Sequence, residues 1–238
     1  NEMLDQMEEL KQKEYQAKQL LNRAEYKALQ AQVNPHFLYN TLDTMASIAE
    51  IRNCPEVSHM SQSLALIFRY SLNMKNPFST VEHEIAHLKN YTYVMDMRMH
   101  DNIQYTFDVD ETTLKSKLPR LSLQPIVENA INHGLRNKRG KKKIGIQIKR
   151  KQMDLVICIE DNGIGMDTSA INESLSKNEL DFVEKGNSIG LHNINARLKM
   201  LYGNTYGMYL ESTLGEGTKV FMILPDSGED SSNEEKDI

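Results

Sequence analysis

Four short clusters carry side chains suited to handling a phosphoryl group. The first is Gln32-Val33-Asn34-Pro35-His36-Phe37-Leu38-Tyr39-Asn40-Thr41-Leu42. A neutral imidazole holds a lone pair on one ring nitrogen, so His36 is equipped to attack phosphorus without first losing a proton. The other ring nitrogen grows more acidic during such an attack and needs an acceptor. Phe37 follows directly, so no carboxylate stands next in the chain. Asn40 lies one helical turn on, on the same face; its carbonyl can orient the ring and its amide can position a water for dephosphorylation. Glu128 is the second candidate for this acid–base role, and the two stay open as alternatives.

The second cluster is Glu128-Asn129-Ala130-Ile131-Asn132-His133-Gly134, in a helical setting. Asn129 and His133 are four apart and share a face. An amide oxygen such as that of Asn129 is a hard ligand suited to Mg²⁺. The third, Glu160-Asp161-Asn162-Gly163-Ile164-Gly165-Met166, follows a strand-like run. A carboxylate at a strand end can accept a hydrogen bond from the exocyclic amine of adenine, and glycines let backbone approach a ligand; the same residues also make tight turns. The fourth, Gly186-Asn187-Ser188-Ile189-Gly190-Leu191, opens a helix. A glycine-containing loop there offers N–H groups and a positive dipole end to phosphate, although Asn187 or Ser188 would serve equally as a plain N-cap. The long polar stretch between the third and fourth clusters suits a lid over a nucleotide.

The elements that must position these clusters are legible in the hydrophobic pattern. Met3, Met7, Leu10, Glu14, Ala17, Leu21, Ala24, Ala28 and Ala31 alternate in fours and threes, the seam of a coiled coil. Glu14 breaks the seam once and the alanines make it thin, so a single surface helix is the competing reading. Pro35 kinks or ends this helix. Phe37, Leu38, Thr41, Leu42, Met45 and Ile48 then continue with helical spacing, and Asn53-Cys54-Pro55 ends the run. Val57, Met60, Leu64, Ile67, Phe68 and Ser71 mark a second helix, so an antiparallel hairpin is expected. Asn76-Pro77 is a break; Ser79 with Glu82 reads as a capping box for a third helix through Ile85, Leu88, Tyr91, Met95 and Met99.

Near Asp101 the texture changes. Ile103, Tyr105, Phe107 and Val109 alternate as in a strand. A helix is expected from Leu121 to Leu135, a hairpin from 143–150 and 154–160, a helix from Ile189 to Tyr202, and a hairpin pairing Tyr206–Ser212 with Lys219–Leu224 across Gly215-Glu216-Gly217. The acidic, Ser-rich stretch 226–238 reads as disordered. The fold class is α+β: a coiled coil (1–30), helices for dimerisation and phosphoacceptance (31–100), then a domain with a mostly antiparallel sheet (101–225).

Composition sets outer limits. Of 238 residues, 39% are hydrophobic and 26% charged, ordinary for a chain that buries a core. The net charge of −5 offers no general attraction to nucleic acid. The basic run Arg136 to Lys143 lacks interleaved aromatics, which also argues against nucleic acid; it reads as a solvated loop able to attract nucleotide phosphates. Cys54 and Cys158 lack metal-ligand spacing, and a reducing compartment suits them. No apolar run approaches the roughly 20 residues of a membrane span. The chain begins inside a helical pattern, so a longer protein with a membrane anchor upstream of Asn1 is expected, this segment being cytoplasmic. His59, His83, His87, His100 and His192 have no setting like that of His36 and are assigned to surface or core.

The last three clusters in this order, with Gly215-Glu216-Gly217-Thr218 after them, closely resemble the N, G1 and G2 boxes of the GHKL (Bergerat) ATP-binding α/β sandwich of histidine kinases, gyrase, Hsp90 and MutL. The resemblance implies Mg²⁺ at Asn129, adenine recognition by Asp161 with Thr218 nearby, and a base pocket shaped by Gly163 and Gly165. It also implies a phosphate side and lid hinge at Gly186, Ser188, Gly190 and Leu191, with Asn132 and His133 near the phosphates. Ser188 stands where many members have glycine. The first cluster resembles the phosphoacceptor motif of LytS/YesM-type sensor histidine kinases, as do Tyr91 to Arg98, Leu118-Pro119 and Leu123 to Ala130. The implied activity is ATP-dependent autophosphorylation of His36 in a homodimer, followed by transfer to a response-regulator aspartate. A clamp-type ATPase explains residues 101–225 but not the Pro35-His36 motif; a scaffold with a degenerate ATP site is opposed by the presence of Asn129, Asp161 and Gly163.

Overall fold

The computed structural model describes residues 35–72, 76–99, 103–177 and 189–226, which form parts of two compact units meeting between Leu72 and Asn73. The coiled-coil seam, Gly186, Ser188, His100 and all of the acidic stretch except Asp226 lie outside the described residues.

The first unit is a helical hairpin of α1 (Pro35–Ile51) and α2 (Pro55–Leu72). Prolines open both helices, where a missing N–H costs nothing. Asn53 ends α1 in the left-handed region at φ 53°, and the Cys54 N–H returns to the Ala49 carbonyl at 2.8 Å, closing the helix end as C-cap asparagines do. The buried seam is narrow: Leu42, Ala46 and Ala49 on α1, and Ser58, Ser61, Ser63 and Ala65 on α2. Asp43 pairs with Arg69 at 3.7 Å, and the Arg69 guanidinium lies 5.6 Å over the Tyr39 ring. Phe37, Met45, Ile48, Ile51, Val57 and Leu66 remain exposed.

The second unit is built on a five-stranded sheet of order β2-β4-β5-β7-β6: β2 (Ile103–Val109), β4 (Lys142–Lys151), β5 (Asp154–Asp161), β6 (Gly207–Thr213) and β7 (Gly217–Pro225). Only β2 and β4 pair in parallel; the remaining pairs are antiparallel. A second, two-stranded sheet joins β1 (Phe78–Thr80) to β3 (Lys117–Pro119). The helices are α3 (Val81–Met99), α4 (Gln124–Asn129), α5 (Ser169–Lys177) and α6 (Ile189–Tyr202).

Strand alternation builds the core. Ile144, Ile146 and Ile148 of β4, Leu155, Ile157 and Ile159 of β5, and Val220, Met222 and Leu224 of β7 are buried with Leu88, Leu118, Leu123, Ile131 and Leu198. Their partners on the other face stay partly exposed; among them Tyr209 and Phe221 stack with ring centroids 4.7 Å apart.

Several expected boundaries move. α3 belongs to the sheet unit, because Ile85, Leu88 and Met95 join that core. Its N-cap is Thr80, whose hydroxyl accepts the His83 N–H at 3.3 Å; Ser79 is a strand residue opposite Leu118. The helix expected from Leu121 starts at Gln124, since Leu121 sits at φ 57°. At Ala130 it widens into a π-helical turn, Ala130–Leu135. α5 occupies part of the polar stretch after Gly165, and Asn172 on it uses both amide atoms on Leu210 of the edge strand β6, accepting its N–H and donating to its carbonyl, each at 2.8 Å. Asp226 is fastened by an ion pair with Arg150, its side chain 3% exposed.

Candidate functional site

A cavity of about 470 Å³ opens between α4 with its π turn, α6 and the sheet. Its walls are largely apolar, including Ile159 of β5, Val220 of β7, Leu210 of β6, Met166 and Leu191. Polar groups enter at two ends. Asp161 and Thr218, a directly facing pair on β5 and β7, hold one end, while Asn129, Asn132 and His133 enter from the helix.

The π turn explains how one helix serves both ends. A π turn accommodates more residues per turn than an α-helix, so residues five apart come into line. Asn129 and Gly134 are spaced in that way, and Asn129, His133 and Gly134 all line the cavity. The Gly134 end touches Asp161: a Cβ built on Gly134 would lie 2.8 Å from Asp161 Oδ1. Asn129 lines the cavity from the preceding turn of the same helix. Of the basic run after Leu135, Arg136 lines the cavity and the charge of Lys138 reaches Asp161.

Asp161 sits on a backbone cradle. Its Oδ1 accepts the Gly163 N–H at 2.7 Å, and Ile164 donates its N–H to the Gly134 carbonyl at 3.0 Å. A Cβ on Gly163 would fall 2.3 Å from the Gly134 oxygen and 2.5 Å from Asp161 Oδ1. Gly165 turns at φ 65°, and its Cβ would strike the Thr213 carbonyl at 2.0 Å. Ser212, opposite Thr218, bolts the floor: its hydroxyl donates to the Gly217 carbonyl at 2.7 Å and receives the Met166 N–H at 2.9 Å. Burial pushes the Asp161 carboxyl above the usual aspartate range, while N–H groups of Gly163 and Thr218 and the charge of Lys138 pull the other way. Such a carboxyl favours a ligand donor that satisfies it.

Of the residues singled out from sequence, Asn129, Asn132, His133, Asp161, Gly165, Leu191 and Thr218 line this one cavity. Gly163 lies beneath it, and Gly190 stands at the start of α6, 3.4 Å (from a built Cβ) from Pro125. Glu128 is exposed on α4 and does not line the cavity. Sequence reasoning missed Gly134 and Ser212. Gly134 is the last residue of a quoted motif, yet its contact with Asp161 has no local signal; the register of β6 against β7 would have pointed to Ser212.

The donor set suits a magnesium nucleotide. An amide oxygen at Asn129 is a hard donor that leaves the remaining positions to waters and phosphates, and Asp161 lines the same largely apolar cavity with a carboxyl able to accept a ligand N–H. His36 and Asn40 belong to the hairpin unit. There the Asn40 amide nitrogen lies 3.2 Å from His36 Nδ1. His87 and His192 are buried, bonded to Gln124 at 2.7 Å and Ser174 at 2.8 Å respectively.

Two family models match the chain: "Histidine kinase" over residues 24–103, and "Histidine kinase-, DNA gyrase B-, and HSP90-like ATPase" over residues 117–228. Sensor histidine kinase YesM of Bacillus subtilis is 33% identical over 94% of this chain, and sensor protein LytS of Oceanobacillus iheyensis is 33% identical over 87%. The chain spans 37% of the former's length and 35% of the latter's. The solved catalytic domain of histidine kinase ThkA overlaps 64% of this chain and 98% of its own, at a TM-score of 0.47 and 15% identity. No helix among the described residues is long and apolar enough to cross a membrane. The two matched models and the identities of its relatives show that the chain belongs to the sensor histidine kinases of the YesM/LytS type.

Proposed function

We propose that this chain is the kinase core of a two-component sensor: it binds Mg-ATP in the cavity around Asp161, phosphorylates its own His36 and passes the phosphoryl group to an aspartate of a response regulator. The single observation that carries the nucleotide reading is the buried Asp161 on its glycine cradle, with Asn129 lining the same cavity from the helix. Asp161 accepts the adenine amine, the apolar walls enclose the base, and Asn129 supplies an oxygen to Mg²⁺, which neutralises phosphate charge. Gly190 and Leu191 then sit on the phosphate side, with Asn132 and His133; Gly186 and Ser188, outside the described residues, extend that side as a lid hinge.

In the transfer, a His36 ring nitrogen forms the N–P bond as the bond from the γ-phosphorus to its bridging oxygen breaks, and ADP departs. With the Asn40 amide nitrogen facing Nδ1, Nδ1 accepts and the ring proton resides on Nε2. A half-turn of the amide presents its carbonyl instead, moves the proton to Nδ1 and aims the Nε2 lone pair at phosphorus. Asn40 thereby selects the tautomer by hydrogen bonding alone, and the carboxylate of Glu128, exposed on α4, is the group proposed to take the ring proton. The exposed Phe37, Met45, Ile48, Ile51, Val57 and Leu66 support a homodimer in which two hairpins cover each other's apolar faces. The intact protein is proposed to be anchored in the membrane upstream of Asn1, with this segment in the cytoplasm.

The test is incubation with γ-labelled Mg-ATP beside His36→Gln and Asn129→Asp. Label that survives alkali, is lost in acid and is absent from both variants is expected. Steady ATP hydrolysis without label would remove His36 from the reaction.

A further inference from the structure

Glu84 is almost completely buried at 1% exposure, yet it lies outside the nucleotide cavity. It points from α3 at the loop that opens α4. Its Oε1 accepts the Leu121 N–H at 2.8 Å, and its Oε2 accepts those of Ser122 at 3.0 Å and Leu123 at 3.3 Å. One side chain thus satisfies three successive backbone donors ahead of α4, and it holds Leu121 at a left-handed φ of 57° that a leucine does not prefer.

The same loop is held from a third helix. Ser122 donates its hydroxyl to the Pro119 carbonyl at 2.6 Å and accepts Arg197 Nη2 of α6 at 2.9 Å. One turn after Glu84, His87 bonds the Gln124 side chain at 2.7 Å. A turn further, Tyr91 has its pKa pushed up to about 12 by burial and by the nearby Glu128 charge. Glu84 and His87 thus hold Leu121–Leu123 and Gln124 from successive turns of α3, beside the helix that presents Asn129.

We infer that Glu84 is a positioning residue: it sets the axial register of α4 and so places Asn129 at the metal end of the cavity. The inference rests on the nucleotide reading above. The Asp161 carboxyl hangs on β5 and β7 and meets the helix only past the π turn, at Gly134, so a shift at the start of α4 reaches it last. Loss of Glu84 thus weakens the contribution of Mg²⁺ to nucleotide affinity and spares recognition of the base. A general loosening of the fold would weaken both.

The experiment measures ADP affinity by calorimetry, with Mg²⁺ and with a chelator, for the wild type, Glu84→Gln and Glu84→Asp. The Gln variant keeps the shape but turns an amide donor toward the loop N–H groups. Removing a support behind a metal ligand commonly costs about 10–100-fold in affinity; here a roughly tenfold loss of the Mg²⁺-dependent gain is expected, with chelated ADP bound as by the wild type. Glu84→Asp, one methylene shorter, is expected to shift the same ratio less and carries the test if the Gln variant does not fold. Equal losses with and without Mg²⁺, or no loss, would overturn the inference. A wild type that binds ADP without any Mg²⁺ gain would instead overturn the metal role of Asn129, and one that binds no ADP the nucleotide reading itself.

Discussion

Replacing Gly163 by alanine adds one methyl group, and the structure gives it nowhere to go. The new Cβ would meet the Gly134 oxygen at 2.3 Å, the Gly134 carbonyl carbon at 2.5 Å and Asp161 Oδ1 at 2.5 Å. Two of these are backbone atoms, which cannot swing aside. To relieve the overlap the Gly163–Ile164 segment must withdraw, breaking the Gly163 N–H bond to Asp161 and the Ile164 N–H bond to Gly134. A hydrogen bond to a charged group contributes about 1.5–3 kcal/mol and a neutral one about 0.5–1.5, so a loss of roughly 2–4.5 kcal/mol is expected. In a unit of this size each kcal/mol moves the unfolding midpoint by about 2–4 °C, which predicts a fall of roughly 4–18 °C. ADP affinity is expected to drop by about 100-fold, because an Asp161 without its cradle no longer aims at the base. Gly203→Ala is the control: Gly203 turns at φ 88° with nothing within 4 Å of a built Cβ, so only backbone strain of about 1–2 kcal/mol applies and ADP binding is retained. Scanning calorimetry and ADP titration of both variants decide the matter. A Gly163→Ala protein that melts with the wild type and binds ADP as well would refute the reasoning.

Two further outcomes are expected. Asp161→Asn removes an acceptor where Gly163 and Thr218 N–H groups already converge; ADP affinity is expected to fall by about 10–100-fold with the unfolding midpoint little changed, since burial already penalises the charged carboxyl, and parallel ADP and GDP titrations would show their preference narrowing. His87 has its pKa lowered chiefly by burial, against the Gln124 bond and Glu84 and with the Arg120 charge. The unfolded chain binds its proton more readily below about pH 6.5, so the stabilisation present above that value is lost as pH falls through the lower folded pKa; urea unfolding should weaken from pH 7 toward acid, and His87→Gln should flatten that slope.

Much of this was legible in the chain. The alternation of Ile103 to Val109 and of Ile144 to Ile148 marks strands, because a sheet buried on one face repeats every second residue. The same alternation says nothing of direction, so the parallel pairing of β2 with β4 was not. α5 was hidden because its apolar side is short, little more than Ile171 and Leu175 among polar residues. The regular helix expected through Leu135 fails for two local reasons: Leu121 is held left-handed by a side chain from α3, and the backbone widens at Ala130. The site shows the same division. Asn129, Asp161 and Thr218 are polar residues whose types announce their chemistry, whereas Gly134 acts by leaving room for an atom from a distant strand, and a missing side chain has no periodicity to betray it.

Asn172 has a consequence for how such chains live side by side. Two copies joined through their hairpins would hold their sheet units at millimolar effective concentration, where any bare strand edge invites another strand to zip on. At the middle of β6 both the N–H and the carbonyl of Leu210 already hold an amide. A trespassing strand would have to evict Asn172 before bonding at that residue, so crowding in such a pair would be hindered from seeding a fibril along this edge.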